Sequence, residues 1–148
     1  MIRSIVVGTD GSETATKAVQ EAADLASQLG AAVEIVSAYT PVSSQRLRDE
    51  GRQAPGDVQW LVTPREDVDA KLRDAQEIAE RMGVEHVTLH AREGDPADAI
   101  LDVAEERGSD LIVVGNKGMS GAKRFLLGSV PNKVSHHAPC SVLIVRTT

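Results

Sequence analysis

Two periods alternate along this chain. Ile2–Val7 is an apolar run that stops at the polar turn Gly8-Thr9-Asp10-Gly11-Ser12. Apolar residues then fall at 15, 18, 19, 22, 23, 26 and 29, the spacing of one helix face, and Gly30 ends the pattern. Ala32–Tyr39 predicts a second strand, Val84–His90 a third, Leu111–Val114 a fourth and Ser141–Arg146 a fifth. Before the third, Thr63-Pro64-Arg65-Glu66 combines an N-cap, a proline at the first helical position and a glutamate three residues after the cap. Apolar positions 68, 72, 75, 78, 79 and 82 keep the helical period, and Gly83 terminates it. Gly94-Asp95-Pro96-Ala97-Asp98 repeats the device for a helix to about Arg107, closed by Gly108. A last helix starts at Ser129.

Strands alternating with helices predict right-handed crossovers and an open parallel sheet with helices on both faces, in an α/β domain spanning 1–148. Ligands on such sheets sit outside the C-terminal ends of the strands, where the winding direction reverses. Polar turns follow both strand 1 and strand 4. If the two line one site, strands 1 and 4 are neighbours and strand 2 lies on the other side of strand 1. The segment Thr40–Val62 holds no sustained period and carries Arg46, Arg48 and Arg52 among prolines and acids. It is read as a surface excursion, with a lid bringing arginines to a ligand as the alternative.

The richest stretch is Gly115-Asn116-Lys117-Gly118, nine residues, then Gly128-Ser129. A strand, a glycine-rich loop and a helix start make a phosphate cradle, because main-chain N–H groups and the positive helix end point at the same place. It is neither a Walker loop, which needs Gly-Lys before a hydroxyl residue, nor the G-x-G-x-x-G dinucleotide turn. Charge agrees with an anion. The chain is net −6, yet residues 111–148 contain no acid and hold Lys117, Lys123, Arg124, Lys133 and Arg146, so residues 1–110 carry −11. Nucleic acid is set aside, since the only aromatics are Tyr39, Trp60 and Phe125, too few for stacking platforms. No apolar run reaches membrane-spanning length, and no signal-peptide pattern opens the chain; with the lone Cys140, a cytoplasmic protein without a membrane partner is expected.

Individual residues divide between structural and ligand roles. Asp10 with Glu13 reads as an N-cap pair for the first helix; as a ligand contact, Asp10 suits a ribose hydroxyl or a cation rather than a phosphate. Thr9 offers its backbone or hydroxyl beside it. Lys117 is a point charge for phosphate. His136 and His137 fall at the end of the last helix, where they favour its dipole, and Cys140 reads as a small core residue. No nucleophile motif or carboxylate pair is present, so no catalytic residue and no metal site are assigned.

The spacing Gly115-x2-Gly118-x9-Gly128-Ser129, the opening IVVGTDGSETA, the strand DLIVVGNKG and the ending LLGSVPNKVSHHAPCSVLIVR resemble the universal stress proteins, in the subgroup that binds ATP. The resemblance covers essentially the whole chain. It implies an adenine nucleotide alpha hydrolase-like sheet of order 3-2-1-4-5. It implies that Gly8, Thr9 and Asp10 lie against the nucleoside, and that Ala38 presents its backbone to the adenine. Val114, Gly115, Lys117 and Gly118 would form the strand end and loop, while Gly128, Ser129 and Val130 hold phosphates, with Mg²⁺ bound only through them. Pro131 departs from members with a hydroxyl residue there, and makes AMP or cyclic AMP a competitor of ATP. The output implied is stress response or signalling through a conformational or partner change, with slow ATP hydrolysis or nucleotidyl transfer as the alternative. Strand 5 falls at a sheet edge in this order. Its apolar run, Ser141–Arg146, is expected to pair with a second copy in a homodimer, as the resemblance also implies.

Overall fold

The computed structural model describes residues 1–40, 65–116 and 127–147. Five strands and four helices alternate: β1 (Ser4–Gly8), α1 (Glu13–Leu29), β2 (Ala32–Tyr39), α2 (Arg65–Arg81), β3 (Val87–Glu93), α3 (Pro96–Arg107), β4 (Leu111–Gly115), α4 (Ser129–His137) and β5 (Ser141–Val145). All strand pairs are parallel, in the order β3-β2-β1-β4-β5 that the resemblance implies, with β2 and β4 flanking β1 as expected if the two polar turns line one site. Residues 41–62 of the excursion, the Thr63-Pro64 cap, and Lys117 and Gly118 lie outside the described residues.

The sheet sorts its side chains by parity. Ile5, Val7, Val33 and Ile35 pack under α1 and α2, whereas Val6, Val36, Ile112 and Val114 pack under α3 and α4. Both faces are covered, which is why the central strands read as unbroken apolar runs. α1 buries Ala18, Val19, Ala22, Ala23 and Ala26, short side chains that bring its axis close to the sheet. Its start is fixed by Ser12, whose Oγ accepts from Ala15 N at 3.1 Å, and its end by Gly30 at φ 68°. α3 follows the same grammar, with Asp95 accepting from Asp98 N at 3.0 Å and Gly108 at φ 58°.

Four expectations need correction. β3 runs Val87–Glu93, not Val84–His90. Val84 is buried because it closes the end of α2: Gly83 turns the chain at φ 95°, and Val84 N donates to Ala79 O at 3.1 Å. An apolar residue after a helix-ending glycine is a cap contact, and sequence alone cannot tell it from a strand start. β1 begins at Ser4 rather than Ile2, and β5 ends at Val145 rather than Arg146. Asp10 is not the N-cap of α1; Ser12 is, and Asp10 Oδ1 instead accepts from Ser12 N at 2.9 Å.

One charge lies deep in the layer under α3. Glu34, with a side chain only 4% exposed, accepts from Arg107 Nε at 2.9 Å and from His90 Nε2 at 2.8 Å. A carboxylate accepts only, so the His90 proton sits on Nε2.

Candidate functional site

A cavity of about 310 Å³ opens where β1 and β4 diverge, at the low end of ligand-pocket sizes. The turn after β1 supplies Gly8, Thr9 and Asp10, and the first turn of α1 adds Ser12 and Ala15. β2 contributes Val36 and Ala38, two residues apart and so on one face; α3 contributes Pro96 and Ile100, four apart on one helix side. Val114 and Gly115 close it from β4, and Gly128, Ser129, Val130 and Pro131 from the start of α4.

Backbone geometry shapes this space. Thr9 N donates to Val36 O at 2.9 Å, carrying the β1–β2 ladder one residue past the strand. Thr9 Oγ1 then accepts from Gly11 N at 3.1 Å, and Gly11 turns at φ 80° with the Lys71 stem lying against it. Asp10 is thereby held exposed at the cavity mouth. A Cβ at Gly8 would stand 2.5 Å from Ile100 Cδ1. Glycine therefore lets α3 bring Ile100 over the end of β1, and any side chain there would drive the Ile100 tip aside.

The two ends of the cavity differ chemically. Val36, Ala38, Ile100 and Val114 make an apolar slot. Opposite them, α4 begins with Gly128 as its N-cap and no side-chain cap bond. α1 and α3 satisfy their first donors with Ser12 and Asp95, whereas the N–H groups of Ser129 and Val130 have no partner within their own helix. The next residue, Pro131, has no N–H, and Asn132 N already bonds Gly128 O at 3.1 Å. The helix start thus offers two main-chain donors and the Ser129 hydroxyl.

One of the clustered basic residues, Lys133, is already engaged by carboxylates. Lys133 Nζ lies 2.8 Å from Asp98 Oδ1 and 3.4 Å from Asp95 Oδ2, and its pKa is raised, chiefly by the Asp98 bond. That cation joins α4 to the acidic start of α3 instead of standing open to an anion. Lys117, Lys123 and Arg124 lie outside the described residues. Burial pushes the Cys140 thiol up, consistent with a packed side chain under α4 and not a reactive thiolate. His136 and His137 occupy the last turn of α4, as their dipole role requires. Among the described residues no group of three or more metal-ligating side chains comes together, and no helix is long and apolar enough to cross a membrane.

Of the residues singled out from the sequence, Gly8, Thr9, Asp10, Ala38, Val114, Gly115, Gly128, Ser129 and Val130 all line this one cavity. Ser12 belongs to the turn after β1 already marked, whereas Ala15, Val36, Pro96 and Ile100 were missed as lining residues. Val36 was within reach, because a strand residue two before Ala38 shares its face. Pro96 and Ile100 had no such signal, since only tertiary packing brings α3 to the mouth of β1.

An open parallel α/β sheet with a cavity at its reversal, apolar at one end and facing the start of α4 at the other, defines the doubly wound α/β class, whose ligands sit outside the C-terminal strand ends. Within it, the chain belongs to the universal stress protein family, whose model matches residues 1–146. It is 40% identical to the universal stress protein Rv1636 of Mycobacterium tuberculosis, over 99% of this chain and 97% of that one. A universal stress protein solved in complex with cAMP is 35% identical, with a TM-score of 0.74, covering 99% of this chain and 98% of that one. The universal stress protein of Archaeoglobus fulgidus solved in complex with dAMP is 26% identical, with a TM-score of 0.68, covering 99% and 100%.

Proposed function

We propose that this protein is an adenine-nucleotide receptor that binds its ligand in the β1–β4 cavity and acts through a conformational or partner change. The observation that carries the reading is the division of the cavity into an apolar slot and an uncapped helix start. The slot accepts a base between Val36, Ala38, Ile100 and Val114, with the Ala38 main chain at its edge. Asp10 at the mouth meets ribose hydroxyls, and Gly128, Ser129 and Val130 take one phosphate on N–H and hydroxyl donors. The relatives solved with cAMP and dAMP support adenine and a single phosphate. The glycine spacing, with Lys117 and Gly118, favours ATP, whose outer phosphates would reach beyond Pro131 and carry any Mg²⁺ with them. Two donors in the first turn suit AMP or cyclic AMP at least as well. The response passes to a second copy through the outer edge of β5, which has no strand partner among the described residues.

The test is to denature the purified protein and identify released nucleotide by mass, then titrate cyclic AMP, AMP and ATP calorimetrically. Dissociation constants in the micromolar range are expected for at least one. No heat from any of the three at high micromolar concentration overturns the reading. Ala38→Leu, which fills the slot, should weaken binding at least about tenfold, or roughly 1.4 kcal/mol, while the protein stays folded by circular dichroism.

A further inference from the structure

Asn116, the first residue after β4, joins two parts of the molecule that otherwise do not touch it in common. Its N–H donates to Val145 O at 2.9 Å, and its main-chain oxygen accepts from Gly128 N at 3.0 Å. Its side-chain Oδ1 accepts twice from Thr147, from the N–H at 2.9 Å and from Oγ1 at 2.8 Å. The orientation of the amide is unambiguous, because a main-chain N–H can only donate and so must face the oxygen. Thr147 is itself 3% exposed, and its carbonyl accepts from Lys17 Nζ of α1 at 3.0 Å.

Gly128 lines the cavity and sets the first turn of α4; Asn116 and Thr147 do not line it. The bond that Gly128 N donates among the described residues therefore goes to a residue whose three other bonds all go to the C-terminal end of β5 and just beyond it, to Val145 and Thr147. Shift Thr147, and the carbonyl that fixes Gly128 shifts with it. We propose that Asn116 is a positioning residue that couples the cavity to the C-terminal edge of the sheet, through Thr147 on one side and Gly128 on the other. A ligand on the Ser129 and Val130 donors then steadies Thr147. By reciprocity, whatever pairs with the outer edge of β5 changes ligand affinity by the same factor. The ligand half of this inference rests on the nucleotide reading above; the coupling itself does not.

Thr147→Val and Thr147→Ser separate coupling from packing. Valine keeps the buried volume and removes the hydroxyl donor, whereas serine keeps the donor and loses a methyl group. Coupling predicts that Thr147→Val weakens nucleotide binding about threefold to tenfold, the effect of one hydrogen bond, and that Thr147→Ser binds like the parent. A purely structural role predicts the reverse order, with serine the worse, and that order overturns the proposal. In ligand-free protein, amide hydrogen exchange at Gly128 should quicken in Thr147→Val and not in Thr147→Ser. Unchanged exchange at Gly128 in Thr147→Val also overturns it. If the parent binds none of the nucleotides, the functional reading falls, and the exchange comparison still decides the coupling.

Discussion

Glu34 and Glu106 show how far context decides what one carboxylate contributes. Arg92 holds Glu106 with two bonds, at 2.6 and 3.0 Å, and keeps its carboxyl below the usual range, yet Glu106 is exposed and Arg92 partly so. Solvent screens such a pair, and Glu106→Ala should leave the urea midpoint nearly unchanged. Glu34 is out of water, and its removal leaves the largely buried His90 N–H without its acceptor, while the half-exposed Arg107 turns to solvent. Glu34→Ala should cost about 2–3 kcal/mol by urea denaturation, and a change below the scatter of a surface substitution would refute that account. Neither role was legible in the sequence. Glu34 stands in AVEIVSAY as an ordinary polar interruption of a strand, and its partners lie 56 and 73 residues away.

Elements were more legible than residues, because caps and periods are local. Gly30, Asp95-Pro96 and Gly108 each mark a helix end with a side chain or a left-handed turn that works within four residues, although the cap of α1 lies at Ser12 and not at Asp10. The misplacement of β3 came from the one signal that needs the third dimension, the burial of Val84 on α2. On the proposed reading, α4 is the element whose chemistry matters most, and Pro131 limits its donors. Pro131→Thr restores an N–H and adds a hydroxyl in the first turn. It should shift the ratio of ATP to cyclic AMP affinity severalfold toward ATP, measured by competition calorimetry. An unchanged ratio would mean that Pro131 does not govern the number of phosphates held.

At the scale of the molecule, ties between distant strand ends keep the reversal in place. Asp110 Oδ2, just before β4, accepts from Arg3 N at 2.8 Å and Ser4 N at 3.1 Å, at the start of β1. Those two donors lower its pKa from the ordinary 3.8. A depressed folded-state value means that the stabilisation is full above the unfolded pKa and is lost as pH falls through the folded one. Asp110→Ala should therefore lower the urea midpoint at pH 7, and the gap from the parent should close as the pH falls below about 3.8. A constant gap across that range would exclude the ionised carboxylate as its source. The edge of β5 makes a separate prediction: sedimentation should give a dimer at micromolar concentration, because an apolar edge with no strand partner among the described residues favours pairing with its copy. A monomer at tens of micromolar would leave the signal to a different partner.

By itself, the sequence determined the alternation of strands and helices, the places where helices start and stop, the parallel sheet and the neighbours of β1. These follow from short-range sterics and from burial on both faces, which leave their record in consecutive residues. It also marked both turns of the cavity, since glycines and an uncapped helix start are local features. Only the tertiary structure decided which side chains from elsewhere complete the cavity. It placed Ile100 over Gly8, turned Lys133 toward Asp95 and Asp98, and bound Thr147 to Asn116. Those contacts join residues far apart in the chain, and hydrogen bonds and packing at such separations leave no period to read.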